Sequence, residues 1–138
     1  MKKSSFLFIF HIFFTILYYN EKYSEVKVMR VLLVEDEKLI RVFIVEYFSK
    51  QGAEVIEAED GYEALSLLDD AFDIVLLDIM MPGIDGYEVC KLIRQRNDVP
   101  ILFISALSED ENKLKGFELG ADDFISKPFT PSLLYAKC

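Results

Sequence analysis

Residues 73–86 read DIVLLDIMMPGIDG, and this stretch indicates how the chain folds. Four apolar residues, 74–77, precede Asp78, and a Met-Pro-Gly turn follows. A short apolar run bounded by a polar residue and a turn is typical of a strand buried on both faces. Similar runs occur at residues 31–34 and 101–104. The sequence therefore predicts a buried strand at each of these three runs.

Amphipathic stretches with helical spacing separate these runs. Gly52 ends the first helix, in which the apolar residues recur at helical spacing: Leu39, Ile40, Phe43, Ile44, Tyr47 and Phe48. We expect further helices at 61–70, 87–93, 109–119 and 130–138, and shorter strands at 53–56 and 123–126. Five strand–helix units predict an α/β fold, a doubly wound parallel sheet of five strands. The last helix, nine residues long, is shorter than the usual mean of about 11–12 and looks truncated.

The composition and net charge exclude several classes of protein. The 138 residues suit one domain, and 15 basic against 24 acidic residues give a net charge of −9. Such a surface argues against nucleic-acid contact by this domain, which requires clustered Lys and Arg. The two cysteines, Cys90 and Cys138, have neither disulfide-framework nor metal-site spacing, as expected of a protein in the reducing cytoplasm.

Residues 1–28 differ from the rest of the chain. Between residues 6 and 19, 12 of 14 positions are apolar, but a membrane span needs about 20. No small-residue cleavage site follows, and Met29 stands directly before the first strand. We predict that residues 1–28 are an extension outside the working domain, residues 29–138, and that membrane contact is not its role. A short membrane-associating helix is the alternative.

Polar residues stand where the predicted strands end. Glu35 and Asp36 follow the first strand, Asp78 the third, Ser105 the fourth and Lys127 the fifth. Because the carboxyl ends of parallel strands share one edge, these side chains should converge. Three carboxylates repel one another and one lysine cannot balance them, whereas Mg²⁺ suits such oxygen ligands. Asp78 could then accept a phosphoryl group, with Ser105 and Lys127 donating hydrogen bonds to its oxygens.

Four stretches at these intervals carry a family resemblance: VLLVEDE (31–37), DIVLLDIMMPGIDG (73–86), PILFISA (100–106) and GADDFISKPF (120–129). Together they resemble the receiver domain of bacterial two-component response regulators, the CheY-like family. Residues 112–137 are most similar to receivers fused to a winged-helix DNA-binding domain, the OmpR/PhoB type. The resemblance implies a flavodoxin-like fold with strand order 2-1-3-4-5.

The resemblance also implies a role for individual residues. Asp78 would be the phospho-acceptor, Asp36 a direct Mg²⁺ ligand, Met80 a ligand through its main-chain carbonyl, and Glu35 a ligand through water. Ser105 and Lys127 would bind the phosphoryl group, Ser105 and Phe124 would form the switch, and the Lys127–Pro128 bond would be cis. The apolar residues Met80 and Leu107, near the acceptor and the switch serine, would slow loss of the phosphoryl group.

The implied phosphoryl donor is a sensor histidine kinase. The implied output surface comprises the domain's fourth helix, fifth strand and fifth helix, and it would form a homodimer through charge pairs of Lys113, Asp122, Asp123 and Lys137. Output would then be transcriptional, through a DNA-binding domain that these residues do not contain. The alternative is a stand-alone receiver that acts by protein–protein binding or by phosphorelay.

The residues after Asp78 argue against an aspartate-based phosphohydrolase. Aspartate-based phosphohydrolases usually carry a second Asp two residues after the nucleophile, where this chain has Met80. We therefore expect a signalling domain that assists only its own phosphorylation and dephosphorylation.

Overall fold

The computed structural model describes residues 3–23, 27–106 and 109–138. Helices and strands alternate along the chain after an N-terminal helix. The elements are α1 (Lys3–Tyr23), β1 (Arg30–Val34), α2 (Lys38–Lys50), β2 (Glu54–Ala58), α3 (Gly61–Leu67), β3 (Ile74–Asp78), α4 (Gly86–Arg94), β4 (Ile101–Ser105), α5 (Asp110–Glu118), β5 (Asp123–Ser126) and α6 (Pro131–Lys137).

The five strands form one parallel sheet in the order β2-β1-β3-β4-β5, which confirms the predicted fold and strand order. The register pairs Asp78 with Ile104 and Ser105 with Ser126. The polar residues that end β3 and β4 therefore lie at the same edge of the sheet, which we call the carboxyl edge. The opposite edge, where the strands begin, is called the amino edge.

Alternate strand residues face two separate hydrophobic cores. Val31 and Leu33 pack with residues of α2 and α6 on one face of the sheet, and Leu32 and Val34 pack with residues of α3 and α4 on the other. Because both faces are covered by helices, both sets of side chains are buried. This explains why the strands read as unbroken apolar runs.

The inward face of α2 is narrower than its apolar pattern predicts. Ile44 and Phe48 are buried, but Leu39 and Phe43 are 67% and 56% exposed. Arg41 is buried instead, on the same face as Ile44 and Phe48. The sheet covers only one stripe of the helix, and residues at the margins of a broad apolar pattern remain in solvent.

Several element bounds also differ from those expected. β2 extends over residues 54–58, and α3 ends at Leu67 because Leu68 is extended, with ψ 125°. The carboxylate of Asp69 then accepts a hydrogen bond from the Ala71 N–H at 2.8 Å, which forms a turn in place of the expected last helical turn. The final helix has seven residues, and the Thr130 hydroxyl caps it by accepting from the Leu133 N–H at 3.2 Å.

The N-terminal helix α1 is exposed along its length. All side chains described for residues 5–21 are exposed, and the Thr15 hydroxyl donates to the His11 carbonyl at 2.9 Å within the helix. Among the described residues, no helix combines the length and apolarity that crossing a membrane requires. The division at residue 28 stays a prediction.

Candidate functional site

The carboxyl edge brings together the five polar residues that the sequence singled out. Glu35 follows β1 and is fully buried, whereas Asp36 beside it is exposed. Asp78, the last residue of β3, is 2% exposed, and Ser105, the last residue of β4, is buried. Lys127 follows β5 directly and completes the group.

Lys127 lies between the buried carboxylates. Its Nζ is 3.3 Å from Asp78 Oδ2, 3.3 Å from Glu35 Oε1 and 3.2 Å from Glu35 Oε2. Its backbone N–H donates to the Ser105 carbonyl at 2.7 Å, which fixes the residue against the end of β4. The Lys127–Pro128 peptide bond is cis, as predicted. One ammonium therefore forms ion pairs with carboxylates at the ends of two different strands.

Burial is the main cause of a raised pKa at both carboxyl groups, Glu35 and Asp78. Burial raises the pKa of Glu35 to about 7, the negative charge of Asp78 adds to the rise, and Lys127 opposes it. Burial likewise raises the pKa of Asp78, against the opposing effect of Lys127 and of the Met80 N–H, which donates to Asp78 Oδ1 at 3.2 Å. Burial lowers the pKa of Lys127, but Asp78 and Glu35 outweigh it and the net shift is upward. The site therefore contains more negative charge than its lysine neutralises.

This donor set fits a hard divalent cation. One carboxylate oxygen each from Glu35, Asp36 and Asp78 lies within 4.8 Å of the others. Glu35 Oε2 is buried and accepts no hydrogen bond, although it lies near the Lys127 ammonium. Carboxylate oxygens in a cluster that retains water access on one side are the ligands that Mg²⁺ prefers. Met80 lies two residues after Asp78, in the loop that follows β3, and is 60% exposed.

The loop after β3 is held tightly against the strand. A Cβ added at Gly86 would lie 2.2 Å from the Asp78 carbonyl oxygen and 2.7 Å from the Ile79 Cα. The Gly86 N–H donates to the Ile79 carbonyl at 2.8 Å, and the Asp85 side chain caps α4 by accepting from the Glu88 N–H at 3.0 Å. Glycine at position 86 thus allows α4 to begin directly beside the acceptor candidate.

The residues of the predicted switch lie on adjacent strands. Ser105 is buried at the end of β4, and Phe124 on β5 is 8% exposed within the core that contains Phe103 and Tyr87. The Lys113 ammonium lies 5.6 Å from the centroid of the Phe124 ring. The ring is therefore turned inward in this structure. Leu107, the second residue expected to slow phosphoryl loss, lies outside the described residues.

The predicted dimer residues make contacts within the chain. Lys137 Nζ lies 3.2 Å from Asp123 Oδ2. Asp122 Oδ2 accepts from the Ile101 N–H at 2.9 Å and from Arg94 Nη2 at 3.1 Å. Their role between two copies stays a prediction.

Sequence reasoning missed one residue at this edge. Arg41 is 6% exposed, and its Nη1 donates to the Glu35 carbonyl at 2.8 Å and to the Asp36 carbonyl at 3.1 Å. The available signal was its position, three and seven residues before Ile44 and Phe48, which places it on the buried face of α2. That position alone predicts burial but does not show which main-chain atoms the guanidinium contacts.

Comparison with known proteins identifies the family. The sequence profile of the response regulator receiver domain matches residues 31–138. The chain belongs to this family. Its receiver domain is 45% identical over 108 residues to the uncharacterized transcriptional regulatory protein YrkP of Bacillus subtilis, a match that covers 78% of this chain and 47% of that protein.

Solved structures agree with the receiver fold. DrrB of Thermotoga maritima, an OmpR/PhoB homologue, is 36% identical with a TM-score of 0.73, over 80% of this chain and 50% of that chain. The chemotaxis protein CheY4 of Vibrio cholerae is 33% identical with a TM-score of 0.76, over 80% of this chain and 96% of that one. The chain spans less than half the length of the curated relatives that it matches.

Proposed function

We propose that this receiver domain accepts a phosphoryl group on Asp78 from a sensor histidine kinase, with Mg²⁺ bound at the carboxyl edge. The observation that carries the proposal is that the Asp78 and Glu35 carboxylates both lie within 3.3 Å of the Lys127 ammonium. Buried carboxylates in excess over their cation are costly for a fold. Binding of a metal ion and a phosphoryl group would explain why the domain contains this costly arrangement of buried carboxylates.

In the transfer step, a carboxylate oxygen of Asp78 forms a bond to phosphorus. The bond between phosphorus and the donor's imidazole nitrogen breaks, and its electron pair stays on that nitrogen. The imidazole leaves neutral when its second nitrogen carries a proton. Lys127, 3.3 Å from Asp78 Oδ2, would donate a charge-assisted hydrogen bond to the transferred oxygens, and Ser105 would donate from the end of β4.

Asp36 and Asp78 would hold the metal directly, Glu35 through water, and Met80 through its carbonyl. Bound Mg²⁺ would neutralise part of the negative charge on the phosphoryl oxygens. The buried oxygen of Glu35 that accepts no hydrogen bond supports its part in this set. The exposed position of Asp36 suits a ligand that meets a hydrated ion.

Phosphorylation would act on the output surface through charge. The group adds about −1.5 to −2 charges at neutral pH, which would draw the Ser105 hydroxyl toward it and favour the inward ring of Phe124. The affected surface comprises α5, β5 and α6, and a phosphorylation-dependent homodimer would use Lys113, Asp122, Asp123 and Lys137. This is a population shift between two arrangements of one surface.

The kinase would contact the face beside Lys127. An apolar groove of about 430 Å³ lies there, lined by Ile40, Phe43, Ile44, Lys127, Pro128, Phe129 and Pro131. A donor protein that approached Asp78 beside Lys127 would find an apolar contact in Phe43, which is 56% exposed. We expect Phe43→Ser to slow transfer from a cognate kinase while leaving phosphorylation by a small donor unchanged. Equal slowing with both donors would contradict kinase docking here.

Intact-mass spectrometry tests the central proposal. The chain is incubated with a small phosphoryl donor and Mg²⁺, beside Asp78→Asn and a metal-free sample. Of these samples, we expect only the wild type incubated with both the donor and Mg²⁺ to gain the mass of one phosphoryl group. The matched control is Asp73→Asn, at the amino edge, which should be phosphorylated normally. No mass gain in the folded wild type would overturn the proposal.

Met80 and Leu107 would give the phosphorylated state a long lifetime by hindering the attacking water. The exposed apolar side chain of Met80 supports this role. Met80→Asn combined with Leu107→Glu should speed loss of the phosphoryl group, followed as the decay of the mass-shifted species. An unchanged decay rate would refute this part.

We infer that the output is transcriptional, since relatives such as YrkP are named transcriptional regulatory proteins. The alternative, a stand-alone receiver acting by protein binding or phosphorelay, is supported by the 96% coverage of CheY4. A basic DNA-binding domain encoded downstream in the same gene would decide for the first, and its absence for the second.

A further inference from the structure

We propose that Arg41 is a positioning residue that holds the Glu35–Asp36 segment in the geometry required for Mg²⁺ binding. This inference rests on the metal site proposed above. Arg41 donates hydrogen bonds to the main-chain carbonyls of Glu35 and Asp36, the segment that carries two of the proposed ligands.

The position of Arg41 at the start of α2 makes this contact possible. Side chains in a helix lean toward its N-terminus, so Arg41, in the first turn, points back to the end of β1. Its Nη1 donates to both the Glu35 and the Asp36 carbonyls. An arginine that is 6% exposed is unusual, because this side chain is rarely buried unless it is paired.

Carboxylates on β2 and after it hold Arg41 from the other side. Arg41 Nε lies 3.3 Å from Glu57 Oε1, and Nη2 lies 3.5 Å from Glu59 Oε1. The Glu35 N–H also donates to the Ala58 carbonyl at 3.1 Å. The guanidinium therefore joins three segments: the end of β1, the first turn of α2 and the end of β2.

This link matters because Glu35 and Asp36 face another negative charge. Without a fixed main chain, repulsion from Asp78 would move the segment away and separate the ligand oxygens, which now lie within 4.8 Å. The planar guanidinium offers several donors in a rigid fork, so it can donate to both carbonyls while its charge lies 3.3 Å and 3.5 Å from the Glu57 and Glu59 carboxylates. A lysine keeps the charge but cannot make all four contacts.

Titration calorimetry of Mg²⁺ into the full chain tests the proposal. We expect Arg41→Lys to weaken Mg²⁺ binding by about tenfold, as for other residues that orient metal ligands. The matched control is Arg30→Lys, which removes an ion-paired arginine at the amino edge and should bind Mg²⁺ like the wild type. Circular dichroism establishes that each variant is folded under the titration conditions.

The outcomes separate the two proposals. If wild type binds no Mg²⁺, the metal site itself is wrong. If wild type binds and Arg41→Lys binds within twofold of it while unfolding at lower temperature, Arg41 is merely structural and the inference is overturned. If Arg41→Lys does not fold, Glu57→Gln combined with Glu59→Gln decides, because it loosens Arg41 from β2 alone. Weaker Mg²⁺ binding by that variant supports positioning, and unchanged binding overturns it.

Discussion

The two edges of the sheet contain similar charged residues in opposite circumstances. At the carboxyl edge, buried Glu35 and Asp78 share one ammonium, Lys127, and burial raises the pKa of both carboxyl groups. At the amino edge, Arg30 Nη1 lies 2.8 Å from Asp69 Oδ1, and its hydrogen bond lowers the pKa of Asp69. One edge concentrates unbalanced charge, and the other pairs its charges in solvent.

Other groups at the amino edge follow the same pattern. Lys27 Nζ lies 2.7 Å from Asp73, and this contact lowers the pKa of Asp73. The Arg30 guanidinium also stacks 4.4 Å above the Phe72 ring. Hydrated, paired charges of this kind cost the fold little and contribute little. The carboxyl edge therefore contains buried carboxylates that share one cation, whereas the amino edge contains solvent-accessible ion pairs.

The largest difference between the edges should appear when each loses its cation. Lys127→Met leaves two buried carboxylates without a partner and should destabilise the metal-free protein by about 4 kcal/mol. Arg30→Met should cost clearly less, because its partners remain in water. Urea unfolding followed by circular dichroism measures both. Equal losses in the free energy of unfolding would show that the buried carboxylates depend on Lys127 no more than the exposed ones depend on Arg30.

A second test compares glycines near the two edges. Gly86→Ala places a Cβ against the Asp78 carbonyl and the Ile79 main chain, and should cost about 3 kcal/mol through overpacking. Gly52, in the turn before β2, has φ +90° and nothing within 4 Å of an added Cβ, so Gly52→Ala should cost about 1 kcal/mol through backbone strain alone. The same unfolding experiment applies. A reversed order would contradict the close approach of α4 to β3.

The fold was predictable because its signals are local. Apolar runs ending in polar residues locate strands wherever both faces are buried, and they predict that Asp78, Ser105 and Lys127 lie at one edge of the sheet. The pairing of Arg41 with the carbonyls at positions 35 and 36 was not predictable in this way, since it depends on which main-chain atoms α2 meets in space. The exposure of Leu39 and Phe43 depends likewise on how much of α2 the sheet covers.

A third test uses pH, to which the edges should respond in opposite directions. The folded pKa of Glu35, about 7, lies above its ordinary value of 4.5, so the folded state binds the extra proton between these values. Stability of the metal-free protein should therefore fall by about 2 kcal/mol as pH rises from 4.5 through 7. The lowered pKa of Asp69 instead gives stability that is lost only in acid, as pH falls below 3.8.

Thermal or urea unfolding between pH 5 and pH 8 in a chelating buffer measures this slope. Glu35→Gln should make it clearly shallower, leaving the part that comes from the raised pKa of Asp78, and Asp69→Asn should leave it unchanged. A slope that stays as steep in Glu35→Gln would assign the titration to another group.

The smallest effect belongs to the exposed pair at the amino edge. Lys137 and Asp123, 3.2 Å apart, are 33% and 43% exposed. Lys137→Ala should change the stability of the unphosphorylated chain by no more than about 0.5 kcal/mol. A loss of several times that size, measured by urea unfolding, would mean that this edge too contains charges on which the fold depends.

The contacts of Lys127 also have a consequence for the order in which the protein is made. Lys127 meets Asp78 and Glu35 across 49 and 92 residues of sequence. During synthesis from the N-terminus, the carboxylates of β1 and β3 emerge long before the only ammonium described in contact with both. The nascent sheet therefore cannot neutralise this edge from within until Lys127 has been synthesised, so closure of the site waits for β5.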